Sequence, residues 1–241
     1  AKQARIVGGI PTEITRHPYQ VSLERHGNYS CGGAIISPYY VVTAAHCVLR
    51  EYSPPDVIDP NTLQVRVGSS YREHDGAVHQ VLKIVLHPEF RQLVLFHNDI
   101  ALIKVNHSFD YNDGVKPISI ATLSPLPGSP AVMTGWGYTR VDKEHPRDYL
   151  PSQLQELQFV INQGFRCKLL SLIIDKNMLC VKSAQLFKGA CNGDSGGPLV
   201  SKGKLVGIAS FVVLGCARGF PDIYTNVVNY REWIESETGI A

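Results

Sequence analysis

Gly193-Asp194-Ser195-Gly196-Gly197-Pro198 gathers at one turn the residue types that nucleophilic chemistry needs. A serine hydroxyl attacks a carbonyl only when a base takes its proton and nearby amides stabilise the oxyanion that forms. Glycine lets the backbone turn sharply, so the amides of Gly193 and Ser195 can point at one spot. Two other segments offer partners. Thr43-Ala44-Ala45-His46-Cys47 sets a histidine in a run of small residues beside a cysteine, and Asn98-Asp99-Ile100-Ala101-Leu102 sets an aspartate at the head of an apolar run. Either residue alone reads as structural, a packed histidine and a strand cap. With Ser195 in the same chain they read as a base and the acid that orients it.

Such groups need a rigid frame. Short apolar runs recur between Gly, Pro, Asn and Asp, and one of them, holding Leu154, Leu157, Phe159 and Ile161, alternates in part. Thr62 to Val67, Ala131 to Tyr138 and Lys204 to Val213 read as strands. Many short strands and few helical patterns predict an all-β barrel or sandwich. One helix is expected at the C-terminal end, where Tyr230, Trp233 and Ile234 share a face and Asn229 with Glu232 forms a capping box. The punctuated stretch from Leu123 to Pro130 is the natural connector between two halves.

The bulk properties exclude several classes. With 241 residues, 44% of them hydrophobic, the chain can bury a substantial core in one or two units. A net charge of +2 is too mild for nucleic-acid binding. No Lys/Arg run suits a membrane surface, and no apolar stretch is long enough to span a bilayer. The six cysteines are even in number and contain no Cys-x-x-Cys pair, which argues against metal ligation while leaving every pairing open. The chain starts at Ala1 without a methionine, which fits a secreted product whose leader was removed or never cloned. The sequons Asn28-Tyr29-Ser30 and Asn106-His107-Ser108 are consistent with secretion. No cofactor and no metal are expected; His74 and His79 flank Asp75 without ligand spacing.

The order His46, Asp99, Ser195, with these flanks, resembles the trypsin/chymotrypsin family of serine endopeptidases. Cys31-Gly32-Gly33, Gly135-Trp136-Gly137 and Pro221-Asp222-Ile223-Tyr224-Thr225 extend the likeness from Ile6 to the C-terminal helix. The resemblance implies an all-β fold of two six-stranded Greek-key β-barrels, residues 6–122 and 123–241, the second ending in the helix. His46 and Asp99 would come from the first barrel and Ser195 from the second, with the site in the cleft between them. It further implies Ser195 as nucleophile, His46 as general base and then acid, Asp99 as the group that holds the His46 tautomer, and the amides of Gly193 and Ser195 as the oxyanion hole. The disulfides implied are Cys31–Cys47, Cys167–Cys180 and Cys191–Cys216, which point to an oxidising, extracellular compartment. The loop that binds calcium in some relatives looks shortened here, so calcium is not expected. Loop character and the three-disulfide pattern resemble arthropod, mite-like digestive proteases.

Arg5-Ile6-Val7-Gly8-Gly9 resembles the family's activation site. Cleavage before Ile6 would remove residues 1–5 and free an α-amino group to pair with Asp194. The uncut chain is then expected to be a zymogen, with Asp194 lacking its partner and the site only partly formed.

The primary pocket departs from the family pattern. Trypsins carry an aspartate six residues before the nucleophile, where this chain has Gly189, while a carboxylate appears at Asp222, where many relatives have glycine. Crustacean collagenolytic proteases share that exchange and accept a broad range of side chains. In Ser210-Phe211-Val212, Val212 replaces a glycine and is expected to narrow the pocket mouth. Asp222 favours a cationic side chain by charge or, alternatively, bonds locally and never meets substrate. If dry, it should hold water or show a raised pKa. Leu186 and Phe187 are expected to fill the pocket edge or pack beneath it, and Val48 to Leu63, with Pro54, Pro55 and Pro60, to overhang the leaving-group side. Two readings follow. The first is a secreted, monomeric serine endopeptidase zymogen acting on proteins or peptides through an acyl-enzyme, with an activating protease and protein inhibitors as partners. The second is a catalytically impaired paralogue that binds proteins through the same cleft.

Overall fold

Twelve strands close into two barrels. The computed structural model describes residues 6–52, 54–92, 95–139, 150–162, 164–170, 174–183, 185 and 187–240. The first barrel comprises β1 (Gln20–Arg25), β2 (Asn28–Ile35), β3 (Tyr40–Thr43), β4 (Leu63–Val67), β5 (Ala77–Leu86) and β6 (Ala101–Val105), closed in the order β6-β3-β2-β1-β4-β5. The second comprises β7 (Pro130–Gly135), β8 (Gln155–Ile161), β9 (Met178–Ser183), β10 (Pro198–Ser201), β11 (Lys204–Val212) and β12 (Asp222–Asn226). Its order is β8-β7-β10-β11-β12-β9, and β9 pairs back onto β8. Among the described residues, closure leaves no long free barrel edge to pair with another chain.

Alternation fixes which face turns inward. In β4, Leu63, Val65 and Val67 are buried while Gln64 and Arg66 are half-buried, the period of two that a strand requires. Leu157, Phe159 and Ile161 do the same from β8, meeting Met133, Leu199 and Tyr224 in the core of the second barrel.

Segments near both ends of the described chain pack on the other half. Near the start, Ile10–Pro11 pairs with β8, Ile10 opposite Glu156. After β12, Val227, Tyr230 and Ile234 enter the core of the first barrel. The terminal helix runs Arg231–Thr238 and stops at Gly239, in the left-handed region at φ 70°. Asn229 does not cap it. A 3₁₀ turn, Val227–Tyr230, intervenes, and the Asn229 side chain donates instead to Lys176 O at 2.9 Å and Asn177 Oδ1 at 3.1 Å. Buried polar bonds also join the halves, as between Thr134 Oγ1 and Gln20 Oε1 at 2.6 Å.

Candidate active site

His46 lies in the 3₁₀ turn Ala45–Val48 that follows β3, and the Cys31–Cys47 disulfide ties that turn to β2. Asp99 arrives just before β6. Its predecessor Asn98 adopts φ 50°, a conformation that asparagine tolerates better than most residues. Asn98 is anchored there by a bond from Tyr230 Oη at 2.9 Å and by its own bond to Glu89 O at 2.8 Å. The turn drives the Asp99 carboxylate inside, 2% exposed. Asp99 Oδ2 accepts from His46 Nδ1 at 2.8 Å and from Ser210 Oγ at 2.5 Å, and Oδ1 accepts from the His46 amide at 3.0 Å. Burial alone would push this carboxyl up. The charge of His46 and the hydrogen bonds from His46 and Ser210 outweigh that and hold it below the usual range.

Ser195 sits on a turn stitched to both barrels. Gly32 N–H, on β2, donates to Ser195 O at 2.8 Å, and Gly196 N–H donates to Ala209 O, on β11, at 2.8 Å. Gly196 has φ 74°, and a Cβ there would lie 2.2 Å from Thr43 Oγ1, so no other residue fits. Ser195, His46 and Asp222 line one cleft of about 340 Å³. Ser210 enters the same cleft from the bulge between Ala209 and Phe211, where the β11–β12 register shifts. A bulge re-aims a side chain, and this one turns Ser210 onto Asp99.

A family model described as Trypsin matches residues 6–234. The chain belongs to the trypsin family. It is a serine endopeptidase, similar to Trypsin alpha of Drosophila melanogaster at 38% identity over 237 residues, covering 96% of this chain and 87% of that one. Hypodermin-B of Hypoderma lineatum is 37% identical over 235 residues, covering 95% and 86%. Among solved structures, mouse neuropsin, described as a serine protease expressed in the limbic system of the brain, superposes with a TM-score of 0.83. Its sequence is 28% identical, and the match covers 95% of this chain and 98% of that one.

This trypsin-family cleft is also lined by Asp222, 5% exposed and opposite Val212 in the β11–β12 pairing. Asp222 Oδ2 accepts from Ala190 N–H at 2.9 Å. Burial pushes the Asp222 carboxyl up to about 7, against the pull of that bond. Gly189 and Asp222 fit as one device, because a Cβ on Gly189 would lie 2.9 Å from Asp222 Oδ2. The Cys191–Cys216 disulfide pins the adjoining wall, and half-buried Val212 lines the cleft. Phe187 neither fills the pocket nor underpins it. It is 70% exposed at φ 58°, and the next residue, Lys188, turns back so that its Nζ donates to Gly8 O at 2.9 Å. Leu186 and Arg5 lie outside the described residues.

Asp194 is buried behind the Ser195 turn. Its Oδ1 accepts from Gly137 N–H at 2.8 Å and its Oδ2 from Cys191 N–H at 2.9 Å. Burial raises its carboxyl to about 7; the two amides oppose the rise, and the charge of Asp222 adds to it. The segment after Ile6 runs alongside the pocket, with Gly189 N–H donating to Val7 O at 3.2 Å.

Two aromatic residues that the motifs do not mark also shape the cleft. Phe96 stacks on His46, ring centroids 5.0 Å apart and planes at 9°. Tyr52 meets Phe96 edge-on at 5.2 Å, from a hairpin pairing Leu49–Tyr52 with Pro55–Val57. That hairpin belongs to the stretch from Val48 to Leu63, and its Tyr52 lines the cleft. The sequence signal for Phe96 is its place three residues before Asp99, on the turn that also delivers the carboxylate to His46. Ligand-bearing side chains meet at Cys31, His46 and Cys47, but both sulfurs are spent in a disulfide and offer no thiolate. His74 bonds exposed Asp75 at 3.2 Å, whereas His79 packs on Phe109, so the two histidines serve different neighbours.

Proposed function

We propose that this enzyme is a secreted zymogen, activated by cleavage between Arg5 and Ile6, that hydrolyses peptide bonds with Ser195 as the nucleophile. The observation that carries this reading is the buried Asp99 carboxylate holding His46 Nδ1 at 2.8 Å in the cleft that Ser195 also lines. With Nδ1–H committed to Asp99, His46 Nε2 carries the lone pair. Ser195 Oγ attacks the substrate carbonyl and gives its proton to Nε2. The carbonyl oxygen becomes an oxyanion bound by the amides of Gly193 and Ser195, while Asp99 stabilises the imidazolium. His46 then protonates the departing amine, leaving an acyl-Ser195 ester. Water, deprotonated by the same Nε2, cleaves that ester and restores the serine.

Asp222 at the floor and Val212 at the wall together select a long, thin side chain ending in a cation. The stem of lysine or arginine passes Val212, and its head meets the carboxylate. Neutral side chains enter with less gain, so the preference is graded. Activation follows from Asp194: a buried carboxyl raised to about 7 gains most from a new ammonium group, and an Ile6 α-amine would supply it. Three disulfides fit an oxidising, extracellular setting. Partners are then protein or peptide substrates, an activating protease specific for Arg5, and inhibitors that present a loop to the cleft. Hydrolysis of peptide amides by the cleaved protein, abolished by Ser195→Ala, tests the reading; a cleaved protein that binds peptides without hydrolysing them contradicts it.

A further inference from the structure

The peptide unit between Gly193 and Asp194 links the two amides proposed as the oxyanion site, and it is pinned at both ends. Its N–H, on Asp194, donates to Cys191 O at 3.0 Å. Its carbonyl, on Gly193, accepts from the Tyr29 hydroxyl at 2.5 Å. We infer that Tyr29 is a positioning residue for the oxyanion site, fixing this peptide plane so that the amides of Gly193 and Ser195 stay aimed at one point. The inference rests on the serine-protease mechanism proposed above.

Tyr29 is itself held at its backbone and at its ring. Its backbone N–H donates to Glu73 Oε1 at 2.9 Å, and Glu73 is paired with Arg72 at 2.6 Å. Its ring meets Trp136 edge-on, centroids 5.8 Å apart. Trp136 is 1% exposed and donates from Nε1 to Ser70 O at 3.2 Å. With the backbone and ring fixed, the two side-chain torsions leave the hydroxyl one place to go. Gly193 needs such a tether. At φ 92° it occupies a region only glycine enters freely, and glycine also has the most alternative conformations to fall into. Burial pushes the Tyr29 phenol well above its ordinary range, so it remains a donor at every pH where a serine protease works.

A residue that only packs against Trp136 would tolerate Tyr29→Phe, which keeps the ring and deletes the hydroxyl. A residue that positions the oxyanion site would not. The test compares cleaved wild type and Tyr29→Phe on a peptide p-nitroanilide and on a boronic acid of the same peptide sequence, whose tetrahedral adduct places an oxygen among these amides. We expect kcat to fall about tenfold, less than the loss of a direct oxyanion donor, with KM within about twofold. Boronate affinity should fall by a similar factor, while the melting temperature should drop by no more than a few degrees, the cost of one lost hydrogen bond. Tyr29→Leu, which also removes the ring, should lower the melting temperature as well. Unchanged kcat and boronate affinity in Tyr29→Phe, beside an active wild type, would overturn the assignment and leave the mechanism standing. A drop in melting temperature with kcat retained would also overturn it, as a packing role. A cleaved wild type that neither turns over nor binds boronate would overturn the mechanism and this assignment with it.

Discussion

Asp194 and Asp222 hang from consecutive amides: Cys191 N–H holds Asp194 Oδ2 and Ala190 N–H holds Asp222 Oδ2, each at 2.9 Å. One short backbone stretch thus separates the proposed activation carboxylate from the proposed specificity carboxylate. Both are buried, both are raised to about 7, and the charge of Asp222 contributes to the rise at Asp194. A cation delivered to either should ease ionisation of the other.

The first consequence concerns specificity and pH. Asp222 attracts a cation only when ionised, and with its carboxyl at about 7 that fraction grows as pH rises through neutrality. The ratio of kcat/KM for matched Arg and Leu peptides should therefore climb through about pH 7 and level off above it, since any titration common to both substrates cancels in the ratio. In Asp222→Asn the ratio should fall at least about tenfold at high pH and lose its pH dependence. An unchanged ratio in the variant would mean that Asp222 never meets the substrate.

Stability carries the same signature. A carboxyl at about 7 in the folded chain against an ordinary 3.8 binds its proton more tightly when folded. The folded state is favoured most below the ordinary value, loses stability as pH rises from about 4 to about 7, and then levels off. Asp222→Asn removes that loss. Denaturant melts should show the variant gaining on wild type across this window by a few kcal/mol, since each pH step of one within it is worth about 1.4 kcal/mol. A gap that stays constant from pH 4 to pH 8 would contradict a buried Asp222 carboxyl raised to about 7.

Much of this was legible in the sequence because the informative residues are local. Gly193 to Pro198, the segment around His46 and the Asn98-Asp99 turn each declare themselves by type and spacing, and alternation in stretches such as Leu63 to Val67 marks the strands. What stays hidden depends on register and on contacts between distant segments. The placement of Ser210 on Asp99 arises from a bulge in β11, which no pattern within Ser210-Phe211-Val212 announces. Tyr29 meets Gly193 across 164 residues. Phe187 looks like a pocket residue by position, yet its left-handed backbone turns it to solvent. The Asn229–Glu232 spacing matches a capping box, but a 3₁₀ turn takes the place where the cap would act.

Ser210→Ala should separate positioning from folding. The variant removes one of the donors on Asp99 Oδ2 and leaves the His46 contacts in place. Losing one hydrogen bond to a buried carboxylate should cost about 1.5–3 kcal/mol of stability. We expect kcat to fall several-fold with KM nearly unchanged, measured on the peptide p-nitroanilide. Wild-type kcat together with wild-type stability would show that Asp99 does not depend on this bond.

The most direct test of the central claim is labelling by a fluorophosphonate probe before and after controlled cleavage between Arg5 and Ile6. The intact chain should label weakly, the cleaved chain strongly at Ser195, and Ser195→Ala not at all. A chain verified as cleaved at Ile6 that still fails to label, or that labels elsewhere, would contradict a zymogen-controlled Ser195 nucleophile.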